Sequence, residues 1–581
     1  MIANTSGINI TESSGRSLVD KQALLGIATT NIEGRLWASA GMGPVSPVFE
    51  AHNGLDYGGV LFLLPALLMQ GLLTIKETHA LKAGYYDINS IILTLAFMAL
   101  CRIKNPEQLK QYKPGELGRL MGIDRVPELK CLRKKIAELA AQNQGRQLND
   151  KLLEHWMPQE EEGNVLLYAD GHVSVYNGHL ANLPVKYVSR QKLCLSATTG
   201  FWLNDQQGNP LLVFTGELSE KLQNAIEDHL ITWLIESKSI DMPQEITDST
   251  PTVCTIVFDR EAYQPAFFLR LWARYRIAVI TYRKNVKDKW EEQSFTSQSI
   301  TIGSNKKTMQ LCERSTELGG HAFREIRCLT ETRHQTAVLT THPLLPTATV
   351  AGALFNRWTQ ENFFKYMVSD YSFDHIISYG TEVIDEKKEV VNPPYRKINY
   401  QIKKEKEKKQ RLQASFMEVL EKNIDTPLDT IAAVLDKQSN LVETIEAKRQ
   451  LIETLITQRQ NIDTRITLSE MPDDKRYNKL KTESTLFINI IKMICYRAET
   501  ALANQIHYYN RADEEKRMLI KQIIQTPANI FPDYNNKTLT VTLHTLSTPR
   551  HNEIASKIAT LLNETETIFP GTDLTLIFKT H

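Results

Sequence analysis

At 581 residues the chain exceeds what one hydrophobic core supports, and its length is a prior for roughly three or four domains. A hydrophobic share of 42% and a charged share of 23% are ordinary for a soluble globular protein, and a net charge of only +1 means that any nucleic-acid function must rest on local basic patches. Seven scattered cysteines, none in a C-x-x-C pair, argue for a reducing compartment and against a disulfide frame or a zinc ribbon.

The first 50 or so residues read as a loose polar leader with no signal-peptide pattern. Two apolar runs follow, "VLFLLPALLMQGLL" and "IILTLAFMALC". Pro65, Gln70 and Gly71 interrupt the first, and the second is too short for the roughly 20 residues of a spanning helix, so both are expected to be buried helices. The stretch "GELGRLMGIDRVPELKCLRKKIAELA" reads as helix, turn and basic helix, with Pro127 at the start of the second helix and Leu129, Leu132, Ile136 and Leu139 on one stripe. Between Arg102 and Leu148 there are 11 Lys/Arg against 5 Asp/Glu. A helix-turn-helix presenting Arg133, Lys134 and Lys135 to DNA accounts for this, and so does a helical hairpin with a solvated basic face.

After a linker, "MPQEEEGN", the texture changes to strands. "NVLLYAD", "HVSVYNG", "LCLSATTGFWLND" and "PLLVFTGEL" come in succession, then a helix over "ELSEKLQNAIEDHLITWLIES". "TVCTIVFD" is a further apolar strand, "PAFFLRLWARY" a helix and "RIAVITYR" a strand. Strand-helix-strand repeats after antiparallel strands predict a mixed sheet. Two of these strands deliver a bare carboxylate at their ends, Asp170 and Asp259. From Tyr263 to Trp290 there are seven Lys/Arg and one Asp, including Arg283 and Lys284, a credible path for a DNA backbone.

Four polar strands between about residues 286 and 341 read as an inserted β subdomain. A long helix, "ATVAGALFNRWTQENFFKYMVSD", then carries Arg357, Glu361 and Lys365 on one face at spacings of four. The charged stretches "IKKEKEKKQRLQ" and Thr430 to Ile466 read as helices of a hairpin, because Lys448 and Arg459 interrupt any strict heptad seam. The last 45 or so residues read strand, helix, strand.

Singly, a strand-end aspartate starts a turn or caps a helix, and Glu361 fits a surface ladder with its neighbours. Together, Asp170, Asp259 and Glu361 form a set of hard oxygen ligands suited to Mg²⁺ or Mn²⁺ rather than zinc. Two such ions can activate water on one side of a phosphate and stabilise the leaving oxygen on the other.

On "LLYADGH", "VFDREAYQPAFFLRLW" and "RWTQENFFKY" the chain resembles DDE transposases of bacterial insertion sequences that carry a β-strand insertion before the catalytic glutamate. Arg357 and Glu361 match the motif surrounding that glutamate. Leu354 and Val368 stand where related enzymes have tyrosine and lysine, and Lys365 lies a turn earlier. The resemblance implies an α/β fold, an RNase H-like mixed sheet with an inserted β subdomain, flanked by helical N- and C-terminal regions. The expected division is a DNA-binding region to residue 157, a catalytic domain over 158–375 and a helical C-terminal region from 376. It implies Asp170, Asp259 and Glu361 as metal-binding catalytic residues, and Arg357 and Lys365 on DNA phosphates. Trp290, at the start of the insertion, is a candidate for stacking on an extruded base, or else a core residue. Further implications are cleavage of double-stranded DNA at element ends, joining to target DNA, a homodimer in the DNA complex, and a cytoplasmic, nucleoid-associated protein with no membrane. A transposase-derived DNA-binding protein without cleavage and a metal-dependent nuclease are the alternatives.

Overall fold

The computed structural model describes residues 31–158, 165–179, 181–183, 185–188, 191–216, 220–302, 305–377, 380–382, 386–387, 389–422, 431–472, 476–506 and 513–581. Most of the leader and all but the first two residues of the "MPQEEEGN" linker lie outside these. By contacts the chain divides into two compact units, one of Met1–Asn177, Val185–Tyr379 and Lys481–His581, the other of Gly178–Pro184 and Gly380–Leu480.

In the first unit the apolar N-terminal run folds as short helical segments whose residues Val60–Leu64 are fully buried. Among the described residues no single helix is long and apolar enough to cross a membrane. The segment with helix-turn-helix texture forms a short helix α1 (Pro114–Arg119) and a longer α2 (Leu129–Ala140). Leu132, Ile136 and Leu139 are buried on the expected stripe. Pro127 precedes α2 by two residues instead of opening it.

A ten-stranded mixed sheet follows. Its strands are β1 (Leu166–Val175), β2 (Val185–Val188), β3 (Leu193–Asp205), β4 (Pro210–Gly216), β5 (Cys254–Val257), β6 (Ile277–Tyr282), β7 (Thr296–Ile302), β8 (Asn305–Leu318), β9 (His321–Leu329) and β10 (Gln335–Thr340). The order is β2-β3-β1-β5-β6-β10-β9-β8-β7, with β4 also paired to β3. β1, β5 and β6 are mutually parallel, and the β5–β6 crossover is helix α3 (Pro265–Tyr275). The remaining pairings are antiparallel.

Three expectations change. "NVLLYAD" and "HVSVYNG" are one continuous strand, β1, because β3 pairs along it from Leu167 to Val175, straight past Asp170. The insertion does not stand apart: β10 pairs with β6, so β7–β10 extend the central sheet. The long helix after it is broken at Asn356 into α4 (Thr347–Phe355) and α5 (Arg357–Tyr371).

Strand alternation splits the core. Leu167, Ile256, Phe258 and Val279 face one large cluster, while Leu166, Tyr168, Val257 and Ile280 face a second cluster covered by α4.

The second unit is an antiparallel pair of 30-residue helices, α6 (Pro393–Lys422) and α7 (Ile431–Gln460). Helix α7 ends at Gln460, short of the expected Ile466, because Arg465–Thr467 instead pairs as a strand with Glu389–Val391. Back in the first unit, α8 (Glu483–Asn504) packs against the Ile88–Leu100 helix and α2. The expected terminal strand-helix-strand is present, and its sheet is completed by Ala528–Asp533 and by His52–Leu55 from near the start of the chain.

Candidate active site

The register of the parallel strands sets the geometry. Leu166, Leu167 and Tyr168 of β1 pair with Thr255, Ile256 and Val257 of β5. Continuing that register past the end of β5 puts Asp170 level with Asp259. Val257 pairs with Ile280 of β6, which puts Tyr282 on the same level. Tyr168, Val257 and Ile280 share the face covered by α4, so by two-residue alternation Asp170, Asp259 and Tyr282 share it as well. This is the carboxyl end of the parallel strands, where open α/β sheets form a crevice.

Helix α4 brings the next member. Its last turn is fixed to the sheet by Tyr168, whose hydroxyl donates to the Ala353 carbonyl at 2.9 Å. The Asn356 amide donates to Gln206 O at 2.6 Å and to the Tyr168 hydroxyl at 3.5 Å. Drawn to the β3–β4 turn in this way, Asn356 breaks the helix, and Arg357 opens α5 beside Asp170. Its guanidinium donates from Nη1 to Asp170 Oδ2 at 3.4 Å and from Nη2 to Glu361 Oε1 at 2.8 Å.

The Asp170 side chain is 17% exposed, and Oδ1 accepts the Gly171 amide at 2.8 Å. Burial, first, pushes its carboxyl up to about 7; Arg357 opposes this, and the nearby charges of Asp259 and Glu261 add to it. Asp259 is half-buried and also does local work: Oδ1 accepts the Glu261 amide at 2.6 Å, capping the short turn Arg260–Ala262. That turn sits before α3, so Asp259 does not cap the helix itself.

Asp170, Arg357 and Glu361 are therefore joined by ion pairs, with Asp259 level with Asp170 on the neighbouring strand. Glu361 is 50% exposed and reaches Asp170 through Arg357. Among the described residues no three His, Cys, Asp or Glu side chains are gathered as a metal-binding group. As donors, Asp170 and Asp259 are hard carboxylate oxygens, a pair that fits Mg²⁺ or Mn²⁺. Lys365 lies exposed one turn beyond Glu361 on α5.

The other candidates are placed elsewhere. Arg283 is turned to the fully buried Glu325, which also takes Arg327 Nε at 2.7 Å. That buried carboxylate demands a counter-charge, which Arg283 helps to supply. Trp290 is 9% exposed, with the guanidinium carbons of Arg314 and Arg327 at 4.8 and 4.2 Å from its ring centre, so it is a core residue. Lys284 is half-buried, its ammonium 5.6 Å from the Tyr263 ring centre. On α2, Arg133 pairs with Glu107 and Lys135 with Glu138, while Lys134 is exposed. The turn between α1 and α2 is interior: Asp124 is 3% exposed and accepts from Tyr85 Oη at 2.7 Å and Arg125 Nε at 2.9 Å.

Sequence reasoning missed Arg260, Glu261 and Tyr282. Arg260 and Glu261 follow Asp259 directly, and the run of charges in "FDRE" was a usable signal. Tyr282 was hidden, because its place depends on the β5–β6 register. Arg260 lies over it, with 5.3 Å from the guanidinium carbon to the ring centre.

A family model described as a transposase protein matches residues 26–580. No curated protein and no solved structure matches the chain.

Proposed function

The chain belongs to this transposase family, and from that premise we propose that it cuts DNA at the ends of a mobile element and joins them to target DNA by phosphoryl transfer at the Asp170–Asp259 crevice. The observation that carries this reading is the strand register that levels two aspartates on one sheet face beside an arginine. The strand order β4-β3-β1-β5-β6, three antiparallel strands followed by two parallel ones, supports an RNase H-like assignment. Asp170 and Asp259 would hold Mg²⁺ or Mn²⁺, with Glu361 joining them by leaving Arg357. When bound, such ions activate water and stabilise the leaving oxygen of a phosphodiester. The chain's own contributions follow from its charges. Arg357, released by the carboxylates, is a fork for a non-bridging phosphate oxygen, and Lys365 adds a positive charge one turn away. Two ends must meet for joining, so the active complex is a homodimer on DNA.

Asp259→Asn is the test. Asparagine keeps size and the capping acceptor but is a poor ligand for Mg²⁺. Its thermal melt should match the wild type while plasmid cleavage in Mg²⁺ is lost. An active Asn variant would sink the assignment. A second reading, occupancy of DNA without cleavage, draws support from Arg357, which stands where the carboxylates would otherwise converge. Cleavage by the wild type separates the two.

A further inference from the structure

The strongest unassigned surface lies on α6. This helix carries nine Lys/Arg against four Glu, whereas its partner α7 carries four Lys/Arg against four Asp/Glu. Its two faces have different jobs. The inner face meets α7: Ile402 is 4% exposed, Glu405 takes Lys448 Nζ at 2.7 Å, and Asn399 takes Arg459 Nη1 at 2.8 Å. At 100° per residue the opposite face presents Arg396, Lys397, Lys403, Lys404 and Arg411, interrupted by Glu407. All five cations are exposed, and none has an ion-pair partner among the described residues. Tyr400 stands in the middle of this stripe, 66% exposed.

Leaving five cations and an aromatic ring in water on one stripe does nothing for the two-helix packing. The stripe spans about 22 Å from Arg396 to Arg411, given 1.5 Å per residue. Over that length a duplex presents phosphates for roughly six or seven base pairs, at one charge per 1.7 Å of axis. The matching chemistry is a rod of negative charge with acceptor oxygens, which five cations and a phenol hydroxyl can meet without reading sequence.

We propose that the outer face of α6 is a sequence-independent docking surface for the phosphate backbone of double-stranded DNA. The inference rests on the transposase reading and adds a second place where the chain holds its substrate. Binding of the full-length protein to a random-sequence duplex is measured by fluorescence anisotropy across a NaCl series in EDTA. The compared variant is R396Q/K403Q/K404Q/R411Q, together with a control losing four cations elsewhere, K537Q/R550Q/K557Q/K579Q. The slope of log Kd against log[NaCl] should fall by roughly three to four in the α6 variant and stay unchanged in the control, at about 0.9 per lost phosphate contact. If the quadruple variant misfolds by circular dichroism, K403Q/K404Q should give about half that change, since Gln and Lys are similar helix formers. An unchanged slope in the α6 variants, or an equal fall in the control, overturns the proposal. The cleavage reading fails separately: a wild type that binds with the α6-dependent slope but cuts nothing in Mg²⁺ overturns that reading alone.

Discussion

Burial and Arg357 pull the Asp170 carboxyl in opposite directions, and burial wins. Because its folded value is raised, to about 7, the stability it contributes is full below the unfolded value and is lost as pH rises through 7. Without divalent cations, Asp170→Asn should therefore raise the melting temperature by a few degrees at pH 8 and by less at pH 5. A gain of the same size at both values would show that the charge is not what strains the site. At this scale the sequence was informative about identity and poor on environment. Asp170 and Asp259 stood out as carboxylates beside apolar runs. What Arg283 and Trp290 touch depended on Glu325 and Arg327, which lie more than 30 positions downstream. Arg283 was read from local charge and proved to be half-buried in an ion pair, and Trp290 took the core alternative.

The decisive element is the break between α4 and α5. Periodicity could not show it, since the apolar spacing runs on unchanged through "LFNRWTQENFF". The cause is remote: Gln206, in the β3–β4 turn, draws the Asn356 amide out of line. Asn356→Ala should remove this tie at a cost of about 1 kcal/mol, visible as a small loss in a chemical melt. Its effect on cleavage should be larger than its effect on stability, because it frees Arg357 and Glu361 together. Equal, small losses in both would mean that the helix break does not position the site. The insertion illustrates the same limit. Its four strands were legible from alternation, but their attachment to the main sheet rests on the three pairs from Val338–Tyr282 to Thr340–Ile280.

At the scale of the whole molecule, composition suggested cuts near residues 157 and 375; contacts divide the chain close to the second, at Tyr379–Gly380, but run across the first and return Lys481–His581 to the first unit. The far end of α5 shows why. Arg102, from the N-terminal region, donates to Glu499 of α8 at 2.6 Å and to Asp370 of α5 at 3.1 Å. Tyr366 of α5 donates to Glu499 at 2.9 Å, and Lys521 reaches Asp370 at 2.7 Å. Glu499 is 1% exposed and burial is costly for both Arg102 and Glu499, so their charges are tolerated only within this network of partners. Three distant stretches of sequence thus clamp the helix that begins with Arg357. Removing one partner leaves a buried charge uncompensated, at roughly 3–5 kcal/mol. Glu499→Ala should accordingly lose much of its soluble yield and melt several degrees lower. Replacing the pair together, Arg102→Met with Glu499→Leu, should recover part of that loss, because Arg102 is no longer buried without Glu499. Cleavage by the recovered double variant should still fall below the wild type, since the clamp on α5 is gone. Wild-type stability in Glu499→Ala would mean that the network is incidental and that α5 is held by its apolar face alone.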